Sequence, residues 1–339
     1  MESSLFPINS RLVNLLQQYI IYVRDIRRYS SRTVQLYLEV LNSFALWAAE
    51  GDTGYGDEEL ISALTQPLLR SYEVYLLDER KSCPRTVNLH LSVLSGFCDF
   101  LVRRNALKSN PVKLVSRPKV EKRLPEYCRQ ESMEQYFSSS EYYASVEALT
   151  VFLHSPASKN GKELYERRLS RLVVSLLYGL GLRRSELMSM TLSNVDFGRK
   201  VVRITGKGNK MREIPLVRSL CDEIRLYLKA LEGLIGESME SKTPLLLTYT
   251  GRPLYPVYVD RLIKKELGGV EGITGRKSPH VLRHSIATEL LNEGADIYSI
   301  KEMLGHSSLA ATQVYTHNSI SKLKQAYAQA HPRAKEKKD

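Results

Sequence analysis

Residues 32–44, RTVQLYLEVLNSF, and residues 85–97, RTVNLHLSVLSGF, agree at eight of thirteen positions across an offset of 53 residues. In both copies the apolar side chains recur at steps of three and four, the spacing of a helix with one face in a core. Ser30 or Ser31 can cap the first copy, and Pro84 suits the first turn of the second. A duplicated amphipathic helix implies two related hairpins packed on each other. Residues 1–110 are therefore expected to form an all-helical domain. The Arg32-Thr33 and Arg85-Thr86 pairs fall at the helix starts. They can meet phosphates there, or serve only as surface charges at helix ends.

The next stretch, VRRNALKSNPVKLVSRPKVEKR (102–123), carries eight basic residues against Glu121, and its prolines disfavour a continuous helix. Residues 111–125 read as a basic interdomain linker. Arg103, Arg104, Lys113, Arg117 and Lys119 are candidate contacts to a phosphate backbone; a solvated linker is the plainer alternative. The whole chain points the same way. Its 49 Lys plus Arg against 37 Asp plus Glu leave a net charge of +12, which favours a polyanionic partner. No apolar run approaches the ~18 residues of a membrane span. The start MESSLFPINS lacks the basic and then apolar pattern of a secretion leader. The four cysteines have no metal-ligand spacing and fit reduced thiols, so a cytoplasmic location is expected.

Residues 126–339 have a different texture. The segment 126–165 reads as irregular and partly helical, with a loop at SPASKNGK (155–162). A buried helix, a glycine-marked turn at GLGLR and a second helix follow. KVVRITGKGNKMREIPL (200–216) reads as two short strands joined by a basic tip. Helices return from about 218. The C-terminal domain is thus expected to be mixed, mainly α with a small β-sheet.

Several chemistry-bearing residues lie in this half. Ser278 can cap a helix with Pro279 at its first position, placing His280 and Arg283 on one face of the first turn. Glu186, three residues after Arg183, can orient it. Four of the seven histidines fall between 280 and 317, and Tyr315 follows His306 by nine residues in LGHSSLAATQVYTHNS. Each is unremarkable alone, since a lone tyrosine usually packs and a lone arginine is usually solvated.

The ordered set GLRRSEL, TGKGNKMREIPL, SPHVLRHSIATELL, LGHSSLAATQVYTH and HPRA resembles the tyrosine recombinase (phage integrase) family, and within it the Xer-like branch. The resemblance implies a SAM-like helical core-binding domain and a catalytic domain that together clamp DNA. It assigns Tyr315 as the nucleophile that forms a 3′-phosphotyrosyl link, and Arg183 and Arg283 as the clamp on the scissile phosphate. His306 matches a hydrogen-bond donor to that phosphate and Lys207 the acid that protonates the leaving 5′-oxygen. His280 matches an aid to proton movement and Glu186 an acid behind the arginines. No cofactor and no metal are implied. Partners implied are a double-stranded recombination site and a homotetramer or heterotetramer built by C-terminal helix exchange; a septal DNA translocase or accessory proteins could join them. Recombination would pass through a Holliday junction, for chromosome dimer resolution or for a mobile element. A relaxing topoisomerase of the same chemistry, and a non-catalytic DNA binder, are the alternatives. Arg184 stands where many relatives are aliphatic, so either Arg183 or Arg184 could supply the clamp; the alignment of GLR favours Arg183.

Overall fold

The two copies of the repeat form two long helices of one helical unit. In the computed structural model, which describes residues 13–49, 57–121, 126–206, 210–236 and 239–305, the chain divides into two compact units between Arg123 and Leu124. The first contains α1 (Val13–Ile21), α2 (Ser31–Ala49), α3 (Asp57–Ala63), α4 (Gln66–Val74) and α5 (Pro84–Arg103). Repeat positions Val40, Leu41 and Phe44 in α2, and Val93, Leu94 and Phe97 in α5, are all buried.

The duplication extends well beyond the matching side chains. Both α1 and α4 run into a single π-helical turn, Tyr22–Ile26 and Tyr75–Glu79. Both turns end on a left-handed non-glycine residue, Arg28 (φ 51°) and Lys81 (φ 49°). The amide of Arg27 donates to Tyr22 O at 2.9 Å, and that of Arg80 to Tyr75 O at 3.0 Å. Every one of these pairs keeps the 53-residue offset. Ser30 caps the α2 start by accepting from the Thr33 amide.

The basic stretch is less of a strap than its composition suggests. Asn110 accepts from the Val112 amide and donates to Ser95 O and Asp99, which nucleates a 3₁₀ turn at Pro111–Leu114. Pro111, Val112 and Val115 are buried in the first unit. The first part of the segment expected as linker is therefore folded against α5.

The second unit comprises α6 (Gln130–Ser139), α7 (Val146–His154), α8 (Lys159–Gly179), α9 (Arg184–Met188), β1 (Val195–Asp196), β2 (Val201–Thr205), β3 (Met211–Pro215), α10 (Arg218–Ile235), α11 (Pro256–Glu266), α12 (Pro279–Asn292) and α13 (Ile297–Leu304). From Arg168 onward α8 is buried all round, as a central helix must be, and α7, α10, α11 and α12 pack on it. The strands form one antiparallel sheet in the order β1-β2-β3, with Val202 opposite Ile214 and Ile204 opposite Arg212.

Residues 126–165 are more ordered than their sequence suggests. Two buried arginines of α8 hold them. Arg171 donates to Phe137 O at 2.7 Å and to Ser140 Oγ, and Arg168 donates to Ser145 O at 2.9 Å. Glu223 of α10 faces Arg171 at 3.4 Å and supplies the counter-charge. The SPASKNGK stretch is short turn and then helix, because the Ser158 hydroxyl caps α8 through the Gly161 amide. No helix among the described residues is long and apolar enough to cross a membrane.

Candidate active site

The site is built where α8 and α13 end and where α9, β3 and α12 begin. After α8 the chain reverses through Gly181, whose φ of +59° is a left-handed conformation. A Cβ there would stand 2.6 Å from Leu304 Cδ2, so glycine is required for space as well as for conformation. The turn delivers Arg183 to the N-cap of α9. Glu186, in the first turn, accepts from the Arg183 amide at 2.9 Å and from Arg183 Nη1 at 2.7 Å. The spacing of three anticipates this contact.

Arg283 arrives from α12, which starts at Pro279 as expected, with Ser278 at the N-cap position but without the side-chain cap bond expected of it. It is 6% exposed. Its Nη1 donates to Gly181 O at 2.6 Å, its Nη2 donates to Leu304 O, and Glu186 Oε2 lies 3.9 Å away. Burial, with Arg183 and Arg212 close by, pushes Arg283 down to about 10 against the opposing pull of Glu186. It therefore stays protonated at neutral pH.

A third arginine, Arg212, completes the cluster and was not singled out from the sequence. It lies on the buried face of β3, in phase with Ile214. Its Nη1 and Nη2 donate to Glu186 at 3.0 and 2.8 Å, and its Nε donates to Met303 O at 2.7 Å. Strand parity is the signal that could have found it, since a basic residue two before a core isoleucine must point inward. Burial alone would raise the Glu186 carboxyl, but hydrogen bonds from Arg212 and Arg183 outweigh it and hold the group below the usual carboxylate range.

Three successive carbonyls at the end of α13 each receive one of these guanidiniums. Met303 O takes Arg212, Leu304 O takes Arg283, and Gly305 O takes Arg183 at 2.8 Å. A helix C-terminus carries unsatisfied carbonyls and partial negative charge, so cations suit it. Three guanidiniums and one carboxylate leave the cluster at +2. Each guanidinium has five N–H donors, and protein acceptors occupy two each of those on Arg183 and Arg283. The remaining donors, beside a local excess of positive charge, suit a tetrahedral anion.

The other expected site residues distribute as follows. His280 is exposed, one turn before Arg283 in α12. Arg184 pairs with Asp260 of α11, so of the two adjacent arginines Arg183 is the one in the cluster. Lys207, His306 and Tyr315 lie outside the described residues. Their chain neighbours Gly206 and Gly305 both abut the cluster, since a Cβ on either would approach Arg212 Nη1, at 3.4 and 3.1 Å.

On the first unit, Arg32, Arg85 and Lys119 are exposed. Thr33 and Thr86 are half-buried and bond to Ser30 and Cys83. Arg103 donates to the Tyr22 hydroxyl, Arg104 to Gln18, and Arg117 to Ser92, while Lys113 pairs with Asp99.

The chain is thus a helical unit followed by a mostly helical unit that carries a buried arginine cluster of net positive charge. The model described as the phage integrase family matches residues 147–322, and that of the phage integrase N-terminal SAM-like domain matches residues 16–105. The chain is 32% identical over 323 residues to the tyrosine recombinase XerC of Chlorobaculum parvum, covering 94% of each chain. It is 33% identical over 329 residues to XerC of Bacillus licheniformis, covering 95% of this chain and 97% of that one. The chain belongs to the phage integrase family, the tyrosine recombinases, and is similar to members of their Xer branch. It is accordingly an enzyme of site-specific recombination, and neither the topoisomerase nor the non-catalytic reading is favoured.

The fold agrees with solved structures. The XerH site-specific recombinase bound to palindromic difH substrate matches with a TM-score of 0.64 at 17% identity, over 92% of this chain and 83% of that one. The Tn1549 transposon integrase in complex with circular intermediate DNA matches with a TM-score of 0.63 at 18% identity, over 92% and 99%.

Proposed function

We propose that the protein cuts and rejoins DNA at a recombination site through a covalent 3′-phosphotyrosyl intermediate. The observation that carries this reading is the gathering of Arg183 and Arg283, from helices far apart in sequence, around Glu186 in a cluster of net charge +2. A phosphodiester carries one negative charge, and more develops on its oxygens as a nucleophile attacks. Fixed guanidiniums aimed at those oxygens stabilise the transition state more than the ground state.

Tyr315 attacks the phosphorus and displaces the 5′-oxygen, which Lys207 protonates; His306 donates a hydrogen bond to the phosphate and His280 assists proton movement at the tyrosine. Phenol has a pKa near ~10, so the positive cluster also favours the phenolate. The phosphotyrosine conserves the energy of the broken bond, and attack by another 5′-hydroxyl reseals the strand. The catalytic domain spans residues 126–339, and the helical domain supplies Arg32, Thr33, Arg85, Thr86 and the basic residues after it to the DNA backbone. Four protomers, alike or of two kinds, act on paired sites through a Holliday junction in the cytoplasm, joined through the 319–330 segment. The strand exchange serves chromosome dimer resolution, with a septal translocase as partner, or the integration and excision of a mobile element.

The test begins by sequencing the DNA covalently trapped on the protein in a genomic digest. That sequence is then made as a nicked duplex whose cut fragment diffuses away. The wild-type chain is expected to give a protein–DNA adduct, and Tyr315→Phe to bind the duplex without forming one. An adduct that survives Tyr315→Phe overturns the assignment.

A further inference from the structure

Arg212 has no assigned part in the chemistry above, yet it joins the carboxylate at the centre of the cluster to the end of α13. Its guanidinium spends both terminal nitrogens on the two oxygens of Glu186 and its Nε on Met303 O. It is 7% exposed. It is also enclosed by backbone. A Cβ on Gly305 would come within 3.1 Å of Nη1 and 3.3 Å of Cζ, and one on Gly206 within 3.4 Å of Nη1. One planar group therefore registers three separate chain segments: the start of α9, the end of β2 and the end of α13.

Stability alone does not account for such a group. Burying an arginine–glutamate pair loses hydration that the mutual attraction only partly returns, and well-packed apolar residues usually hold a core as well or better. What the fork provides is direction. With both oxygens of Glu186 fixed from one side, its Oε1 can meet Arg183 Nη1 in only one orientation.

We propose that Arg212 is a positioning residue for strand cleavage, which locks Glu186, and through it Arg183, to the helix end that also orients Arg283. The inference rests on Arg183 and Arg283 being the phosphate clamp. Arg212 itself reaches no reacting atom. Among the described residues, the charged groups facing Glu186 are Arg183 at the N-cap of α9, Arg212 from β3 and Arg283 from α12, while the end of α13 offers carbonyls to the three arginines.

The test uses the full chain, the nicked duplex defined above, and the variants Arg212→Lys and Arg212→Met. Lysine keeps the charge and loses the fork. It is expected to bind the duplex as the wild type does, and to form adduct about 10- to 100-fold more slowly in a single turnover, the equivalent of one charge-assisted hydrogen bond. In Arg212→Met, Glu186 stays buried without its main partner, so its carboxyl titrates higher. Adduct formation then gains an acid limb absent from the wild type, and adding Glu186→Gln removes that limb. A residue that only supports the fold would lower the melting temperature and create no such limb. A wild-type rate in Arg212→Lys, or a slowed Arg212→Met with no acid limb, overturns the inference. Should Arg212→Met fail to fold, the Arg212→Lys rate decides alone. Persistence of the adduct in Tyr315→Phe would instead overturn the recombinase assignment, so the two failures are distinguishable.

Discussion

Glu186→Gln is expected to destabilise the C-terminal unit by about 3–5 kcal/mol at pH 7, the usual result of removing one partner from a buried ion pair. The carboxylate accepts four hydrogen bonds, two from Arg183 and two from Arg212, and lies 3.9 Å from Arg283. The amide offers one oxygen where there were two, and turns its NH₂ donors toward guanidinium donors. The cluster rises from +2 to +3 in a site where Glu186 is 4% exposed. For a unit of this size such a loss lowers the melting temperature by on the order of 10 °C.

The pH dependence has a definite sign. The folded carboxyl is held below its ordinary value of 4.5, so the folded state takes up a proton less readily than the unfolded chain. Its contribution is fully present above the ordinary value and is lost as pH falls through the depressed one. Glutamine has no such contribution to lose. The gap between wild type and variant must therefore hold steady from pH 7 down to the ordinary carboxylate value and narrow as pH falls below it. Urea denaturation followed by far-UV circular dichroism measures it. The single tryptophan, Trp47, lies in α2 of the other unit and reports that unit separately. Equal stability at pH 7, or a gap that stays constant below the ordinary carboxylate value, refutes the reasoning.

Lys207→Ala is expected to abolish cleavage of ordinary DNA and to spare cleavage of a duplex whose leaving 5′-oxygen is replaced by sulfur, as gel assays of adduct formation would show; equal loss on both removes its role as the acid. Gly181→Ala forces a side chain into φ +59° and onto Leu304. It should lower stability by about 1–3 kcal/mol, measured by the same denaturation, and a neutral result would mean that this turn relaxes freely.

Much of this molecule is legible in its sequence, and the illegible parts share physical reasons. Helices α2 and α5 announce themselves because the same apolar positions are buried twice. The matching left-handed residues Arg28 and Lys81 do not, since neither is glycine and the reversal is set by backbone bonds from the flanking amides back into the π-helical turns. The Arg183–Glu186 contact is local and can be read from a spacing of three. Arg212 acquires its meaning only when β3 meets α9 and α13, whose residues lie 26 and 91 positions away. The order of 126–165 is likewise long-range. Arg168 and Arg171 look like surface charges in sequence, and become buried clasps because acceptors on the preceding segment and Glu223 meet them.

Three consecutive peptide carbonyls serve three different arginines, and this has a kinetic consequence. A shift of the α13 terminus by one ångström loosens Met303, Leu304 and Gly305 together, so the guanidiniums cannot be misaligned one at a time. Perturbations at that helix end should therefore disturb all three guanidiniums at once and slow strand cleavage by more than the loss of any one contact. The α13 terminus is thus one point through which the rest of the chain can govern cutting.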